Sequence, residues 1–501
     1  MVPLFFMFPL NIILIMGYNK NMNKDIYDVI VVGAGITGSF IARELSKYEL
    51  KVCVLEKAND VGNGATNANS AIIHSGYDPL PGTNKAKFNV LGNKMFDQIA
   101  DELDVSFRRI GSLTVANFPE QVPMLEELAK RSAKNGVPVE ILTGEQVAKM
   151  EPNIPDSYGA LFAPTAGNIN PFNLCIHAME NAVDNGVKLC LSNKVTSIKY
   201  ENELFYVTTD KDTYIAKIVI NAAGNYADQI ANMINKVDWS ITPRKGEYYV
   251  LDHKVKDFVN HVIFPLPSEK GKGVLVTKTT SDNYLVGPSS EFIYDKDDVS
   301  TDKMTLDNVK AQANLIVKNI PYNTCVRTFS GLRPSCSRHD FVIEKDSKFD
   351  HFINVGGIES PGLVSAPAIA KYVVEELVSS ISLLINKKDY NPRVRRYPHI
   401  KEVELEKRNQ IIKENPNFGE MICDCEQISI GEIEDVLSRS VPPRSVKGVK
   451  RRVRAGFGRC QGGFCSPKVT LLLAKHYGIS PLDVPLDDEG SNILLEKVKV
   501  N

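Results

Sequence analysis

The sequence predicts an α/β protein: a discontinuous Rossmann-like domain, an antiparallel β-rich second domain, and a small helical C-terminal domain. Three observations predict it. Near the N-terminus an apolar run enters a glycine turn and leaves it as a stretch with helical apolar spacing. The middle of the chain is a series of short β-branched runs separated by Gly, Pro and Asp. Near the C-terminus four of the nine cysteines gather in two pairs.

From about Asp28 the chain reads strand, turn, helix, strand: YDVIVVG, GAGITG, SFIARELSKYEL and KVCVLEK. Such a βαβ unit implies a parallel sheet. Gly33, Gly35 and Gly38 fit GxGxxG at the place where a strand opens into a helix, so backbone N–H groups and the positive helix end face the position of a pyrophosphate. The first glycine allows the tight turn, the second lets phosphate approach, and the third lets helix and strand pack closely. Glu56, followed by Lys57, ends the second strand and is placed to accept hydrogen bonds from ribose hydroxyls. The acidic side chain, with no adjacent Arg, disfavours a 2′-phosphate.

Two later stretches read as returns to this domain: KIVINAAG, which holds Ala223 and Gly224, and FINVGGIESPGLVSAPAIAKYVVEEL. The second contains Gly357, Ile358, Glu359, Gly362 and Leu363, a glycine-rich turn whose helix N-terminus suits the electron-rich end of an isoalloxazine ring. That turn, with cysteines that can carry electrons singly, favours FAD over NAD. Val195 joins the cofactor-binding set. Thr66, Asn69 and Ser70 are polar contacts to the cofactor, or simply cap the helix they open.

Length and composition bound the rest. A chain of 501 residues holds about two to four domains. The net charge of −1 gives no reason to expect nucleic acid or an anionic membrane as a global partner. Any affinity for a small anionic substrate comes from local cations. Cys53, Cys175, Cys190, Cys325 and Cys336 are scattered and read as reduced thiols, which points to a cytoplasmic protein. The opening MVPLFFMFPLNIILIM lacks a basic start and a cleavage site, and is short for a membrane span. Residues 1–24 are read as a leader: an overextended start or disordered segment first, a membrane-surface anchor second, a true signal last.

Cys423, Cys425, Cys460 and Cys465 supply the four thiolates of a [2Fe-2S] cluster. A zinc site is the alternative, but zinc prefers C-x2-4-C, and C-x-C is awkward for one tetrahedral ion. Lys450, Arg451, Arg452, Arg454 and Arg459 offset the cluster's charge or form a solvated helix face. Ser429 and Glu432 have capping-box spacing ahead of an apolar helix face.

The stretches DVIVVGAGITGSFIARELS, NSAIIHSGYDPLPGTNKAKF, INAAG, FSGLRPS and NVGGIESPGLVSAPAIA resemble the D-amino-acid-oxidase-like superfamily of FAD oxidoreductases, in the branch of glycerol-3-phosphate and L-2-hydroxyglutarate dehydrogenases. The tail CDCEQIS…KRRVRAGFGRCQGGFC is similar to the BFD-like, bacterioferritin-associated-ferredoxin type of [2Fe-2S] domain. The resemblance implies a dehydrogenase that passes a hydride to FAD and then electrons through the cluster to an acceptor protein or partner subunit, with peripheral membrane association through that partner. It assigns His74 as base, since a neutral imidazole suits removal of a hydroxyl proton. It assigns Arg333, in GLRP, as the fork that grips a phosphate or carboxylate, with a turn fixed by the proline after it. A 2-hydroxy acid or amino-acid substrate remains open. So does a flavin and iron–sulfur electron carrier with no small substrate.

The expected layout is an oxidoreductase domain over 25–385, a linker over 386–416 and a [2Fe-2S] domain over 417–485. Within the first, the FAD-binding parts are about 25–90, 160–235 and 330–385, and the substrate-domain parts about 91–159 and 236–329.

Overall fold

The computed structural model describes residues 25–267 and 273–496; the expected leader lies outside them. The strand Ile26–Val32 sits at the centre of an eight-stranded sheet, between Val52–Leu55 on one side and Thr213–Asn221 on the other, parallel to both. Lys188–Cys190 and Phe352–Gly356 extend the parallel core. Its strands are apolar on both faces because both are covered, as parallel sheets require. The helix Ile36–Leu45 packs on one face between the helices Pro171–Asp184 and Gly362–Tyr372, and all ten of its residues are buried.

The second sheet has nine strands and is antiparallel except where Val262–Pro265 runs beside Ser112–Ala116. Its longest ladder joins Ile241–Leu251 to Cys325–Cys336. Several segments fall differently from their sequence reading. Gly159–Ala163 and Cys325–Cys336 are strands of this second sheet, although residues from about 160 and 330 read as FAD-binding. The helix Asn84–Glu102 lies across Gly362–Tyr372 and buries Phe88, Phe96 and Ile99 in the core beneath the parallel sheet, although most of it read as substrate domain. Gly92 makes that crossing possible: a Cβ there would stand 1.9 Å from the Val364 carbonyl oxygen. A local apolar pattern predicts such a helix but does not say which sheet it covers.

Residues read as a linker are tied down. The carbonyl of Pro392 takes a hydrogen bond from Arg43, Val394 and Ile400 are buried, and a helix runs over Leu405–Glu414. The C-terminal unit starts with the hairpin Met421–Cys423/Ile428–Ser429. Three helices follow, Ile430–Leu437, Val446–Val453 and Ser466–Tyr477, packed around Ile433, Val436, Val449 and Leu473. Ser429 and Glu432 form the expected capping box, and Gly478 ends the last helix in the left-handed conformation. No helix among the described residues is long and apolar enough to cross a membrane.

Candidate active site and cluster centre

The glycine turn is held by steric necessity. Gly33 has φ +103°, and a Cβ there would meet the Ala222 carbonyl oxygen at 2.6 Å. A Cβ on Gly38 would stand 2.0 Å from the Gly33 carbonyl oxygen, so the helix closes on the strand only without one. The first turn of Ile36–Leu45 carries no acid, which leaves its positive end for an anion. Thr66 caps it by accepting from the Ile36 N–H at 3.0 Å. The Glu56 carboxylate accepts from the N–H groups of Ala34 (2.7 Å) and Ala58 (2.9 Å), which fixes it at the strand end; burial nonetheless raises its pKa.

In front of this turn opens a cavity of about 1210 Å³, beyond the range of about 300–1,000 Å³ usual for small-ligand pockets and suited to an extended dinucleotide. Gly33, Gly35, Glu56, Lys57, Thr66, Asn69, Val195, Ala223, Gly224 and Ile358 all line it. Gly38 packs behind. Ser70, Gly357, Glu359, Gly362 and Leu363 lie off the cavity wall. The Ser70 hydroxyl pairs with the Tyr248 hydroxyl at 2.9 Å, and the Glu359 carboxylate is shared by Lys85 (2.9 Å) and Arg244 (2.8 Å). Gly357, at φ +68°, lies so close to Cys336 that a Cβ would stand 2.6 Å from its Cβ. The sequence reading missed Tyr226, whose ring carries the Lys57 ammonium at 4.0 Å, and Arg327 and Phe457, and it read Lys450 only as a counter-charge to the cluster or part of a solvated helix face.

His74 and Arg333 stand outside that cavity's lining, near the glycine-rich turn. The His74 ring stacks on Phe264 with centroids 5.8 Å apart, and its Nε2 is 3.4 Å from Ser360 Oγ. The side-chain amides of Asn89 and Asn93 grip its carbonyl. Arg333 contradicts one expectation: Pro334 makes no turn, because it sits within the strand Cys325–Cys336, opposite Pro243. Two prolines facing each other need no ladder donor. The Arg333 guanidinium donates to the carbonyls of Ser289 (2.7 Å), Arg244 (3.2 Å) and Lys245 (3.4 Å). None of these is an acid; burial lowers the guanidinium's pKa, and the charge of Glu359, itself shared by Lys85 and Arg244, opposes that shift.

The four clustered cysteines stand in two pairs. Cys425 Sγ lies 3.8 Å from Cys460 Sγ, the separation of two thiolates on one tetrahedral metal with bonds of about 2.3 Å. Cys423 shares a hydrogen bond with Cys465. That contact, with the backbone N–H groups of Gly456 and Glu426, lowers the Cys423 thiol to about 6. Burial opposes ionisation of Cys460, yet the N–H groups of Phe464, Gly462 and Gly463 hold its pKa below the usual value. In each pair one sulfur ionises readily while the shared contact raises the other, Cys465 and Cys425, and two such pairs supply the two thiolates that a [2Fe-2S] cluster asks for at each iron.

The basic residues of this unit do not form one solvated face, although Arg459 is largely exposed. Arg451 and Arg452 are buried and close on Asp60, at 3.2 and 2.8 Å. Arg439 meets Glu180 at 3.3 Å, also buried. The cluster unit is thus fastened to the parallel-sheet domain by internal ion pairs, and its loop Arg454–Cys465 sends Phe457 and Gln461 into the dinucleotide cavity.

Comparison with known proteins agrees with this geometry. Residues 28–376 match the family of FAD dependent oxidoreductases, and residues 421–475 match the BFD-like [2Fe-2S] binding domain. A glycerol 3-phosphate dehydrogenase of Caloramator mitchellensis is 47% identical over 94% of this chain and 99% of its own length. A glycerol 3-phosphate oxidase of Mycoplasma genitalium is 35% identical over 73% of this chain and 97% of its own. Among solved structures, an FAD-bound L-alpha-glycerophosphate oxidase from Mycoplasma pneumoniae superimposes with a TM-score of 0.71, at 30% identity, over 74% of this chain and 98% of its own. With its glycine turn, its dinucleotide cavity and its paired thiolates, the chain belongs to the FAD-dependent oxidoreductase family and carries a BFD-like [2Fe-2S] domain at its C-terminus.

Proposed function

We propose that the protein is a dehydrogenase that oxidises glycerol 3-phosphate to dihydroxyacetone phosphate. The observation that carries this reading is Arg333: a guanidinium aimed by three carbonyls, with no carboxylate at ion-pair distance among the described residues, and paired across its ladder with Arg244, which holds Glu359 in the turn where Ser360 meets His74. With Nε and Nη2 engaged by carbonyls, Nη1 is the nitrogen that can donate to an anionic phosphate. The similarity to glycerol 3-phosphate enzymes over nearly the full chain supports the same substrate.

When bound, FAD supplies the acceptor for the substrate's C2 hydride, and the cluster supplies a one-electron exit to a partner protein or subunit. The chain's own residues do the rest. Arg333 holds the phosphate, and His74 receives the hydroxyl proton at Nε2, the nitrogen that faces Ser360. Phe264 and the amides of Asn89 and Asn93 keep the imidazole in place. A cytoplasmic location, with any membrane association made through the partner, belongs to the same reading.

The test is reduction of the holoenzyme without oxygen. Glycerol 3-phosphate is expected to bleach the flavin band, whereas L-2-hydroxyglutarate and free amino acids are not. Bleaching by L-2-hydroxyglutarate alone would replace the substrate; bleaching by none would favour the electron-carrier reading.

A further inference from the structure

Part of the cavity wall belongs to the cluster domain, with Lys447, Lys450 and Arg451 from the helix Val446–Val453 and Arg454 at its end, and Arg327 of the strand Cys325–Cys336 lines the same cavity. Most of these cations have acids. Lys447 and Arg451 both reach Asp487, at 3.1 and 2.9 Å, and Arg454 holds Glu426 at 2.8 Å and the amide of Asn283 at 3.0 Å.

Arg327 and Lys450 are different. Among the described residues neither has a carboxylate within ion-pair distance. The Lys450 ammonium rests 3.3 Å from the amide oxygen of Gln461 and 4.6 Å over the Phe457 ring. Burial, and then the charge of Arg327, lower its pKa to about 8. Asp487, already divided between Lys447 and Arg451, is the acid whose charge acts on Arg327. Both line the same cavity, Lys450 half-buried and Arg327 exposed, and like charges brought to one wall are relieved by an anion between them. Sugar and base rings do not discharge them; a phosphoryl group does, and Lys and Arg are its usual ligands.

We propose that Lys450 and Arg327 form a phosphate-binding subsite at the seam between the flavin domain and the cluster domain. The phosphoryl group is either the pyrophosphate of FAD or that of a separate phosphorylated ligand entering the seam. In both cases the cluster domain is part of the binding site, so ligand binding and domain docking strengthen each other.

Two measurements on the holoenzyme distinguish the sources. The first is the rate of FAD release, followed by flavin fluorescence at increasing KCl. The second is calorimetric titration with inorganic pyrophosphate. If the phosphate is the cofactor's, Lys450→Met and Arg327→Met each speed FAD release by about ten- to hundredfold, and salt speeds it more in the native protein than in the variants. If it belongs to a separate ligand, FAD release is unchanged, while pyrophosphate binds the native protein and not the variants. Lys450→Arg, which keeps the charge, restores native behaviour in either case and excludes misfolding as the cause. The assignment is overturned if neither measurement responds, including when only the cluster's reduction potential moves, which would leave Lys450 as a counter-charge to the cluster. None of these readouts depends on the identity of the oxidised substrate.

Discussion

At the scale of single residues, function rests on side chains oriented by neighbours that do not react. His74 is clamped through its carbonyl and its ring face, so His74→Asn is expected to preserve the flavin spectrum and slow flavin bleaching by about 10²- to 10⁴-fold in stopped-flow absorbance. An unslowed reaction removes His74 from the proton path. Arg333→Met is expected to weaken substrate binding by about 1.5–3 kcal/mol, seen as a raised KM, with Arg333→Lys restoring little because an ammonium cannot hold the aiming carbonyls and the phosphate at once as the planar guanidinium does. Equal KM values for native and Met proteins contradict the assignment. Cys425→Ser leaves one iron short of a thiolate and is expected to abolish the reduced-state EPR signal; full intensity argues against a [2Fe-2S] cluster. The tight packing of Gly38 and the place of Glu56 at its strand end were readable because they are set by neighbours within one βαβ unit, whereas the Ala222 carbonyl that crowds Gly33 follows a strand far along the chain. Arg327 and Lys450 were not readable as neighbours, because a strand and a helix 123 positions apart place them on one wall. At Arg333 the turn read after it was misjudged, since nothing local shows that Pro334 will face Pro243 in a ladder.

Among the elements, the helix Ile36–Leu45 does most to locate the cofactor, and its seating depends on the missing Cβ of Gly38. Gly38→Ala forces a methyl group into a carbonyl 2.0 Å away. The helix must lift and its N-terminus must leave the cavity, so purified Gly38→Ala protein is expected to be folded by circular dichroism but colourless. A yellow variant with native FAD content contradicts this. Strand and helix identities were legible from their apolar periods. Sheet membership was less so: Cys325–Cys336 and Asn84–Glu102 each went to the neighbour opposite the expected one, because their pairing is decided by Ile241–Leu251 and Gly362–Tyr372, far away in sequence.

Across the whole molecule, the junction between the flavin and cluster domains is built on buried ion pairs, with the Phe172 and Phe457 rings packed across it. Asp60 is the centre of it: burial alone would raise its pKa, but Arg452 and Arg451, with the Val61 N–H, lower it from 3.8 to about 2. Its ionised form is therefore favoured by folding, so its contribution is complete above the ordinary value of 3.8 and fades as the pH falls through about 2. Asp60→Asn leaves two buried guanidiniums short of their acid, a loss of about 3–5 kcal/mol. Calorimetry at pH 7 is expected to show the variant's C-terminal unit melting before the rest, with an acid limb flatter than the native one; a single native-like transition contradicts this. The same contact orders events during synthesis. Asp60 leaves the ribosome 391 and 392 residues ahead of the two arginines it will meet, so the flavin domain folds first with its carboxylate in water and one side of its cavity without a wall. Lys450 and Phe457 arrive last, so the wall they give the cavity is added only after the flavin domain's own residues are in place.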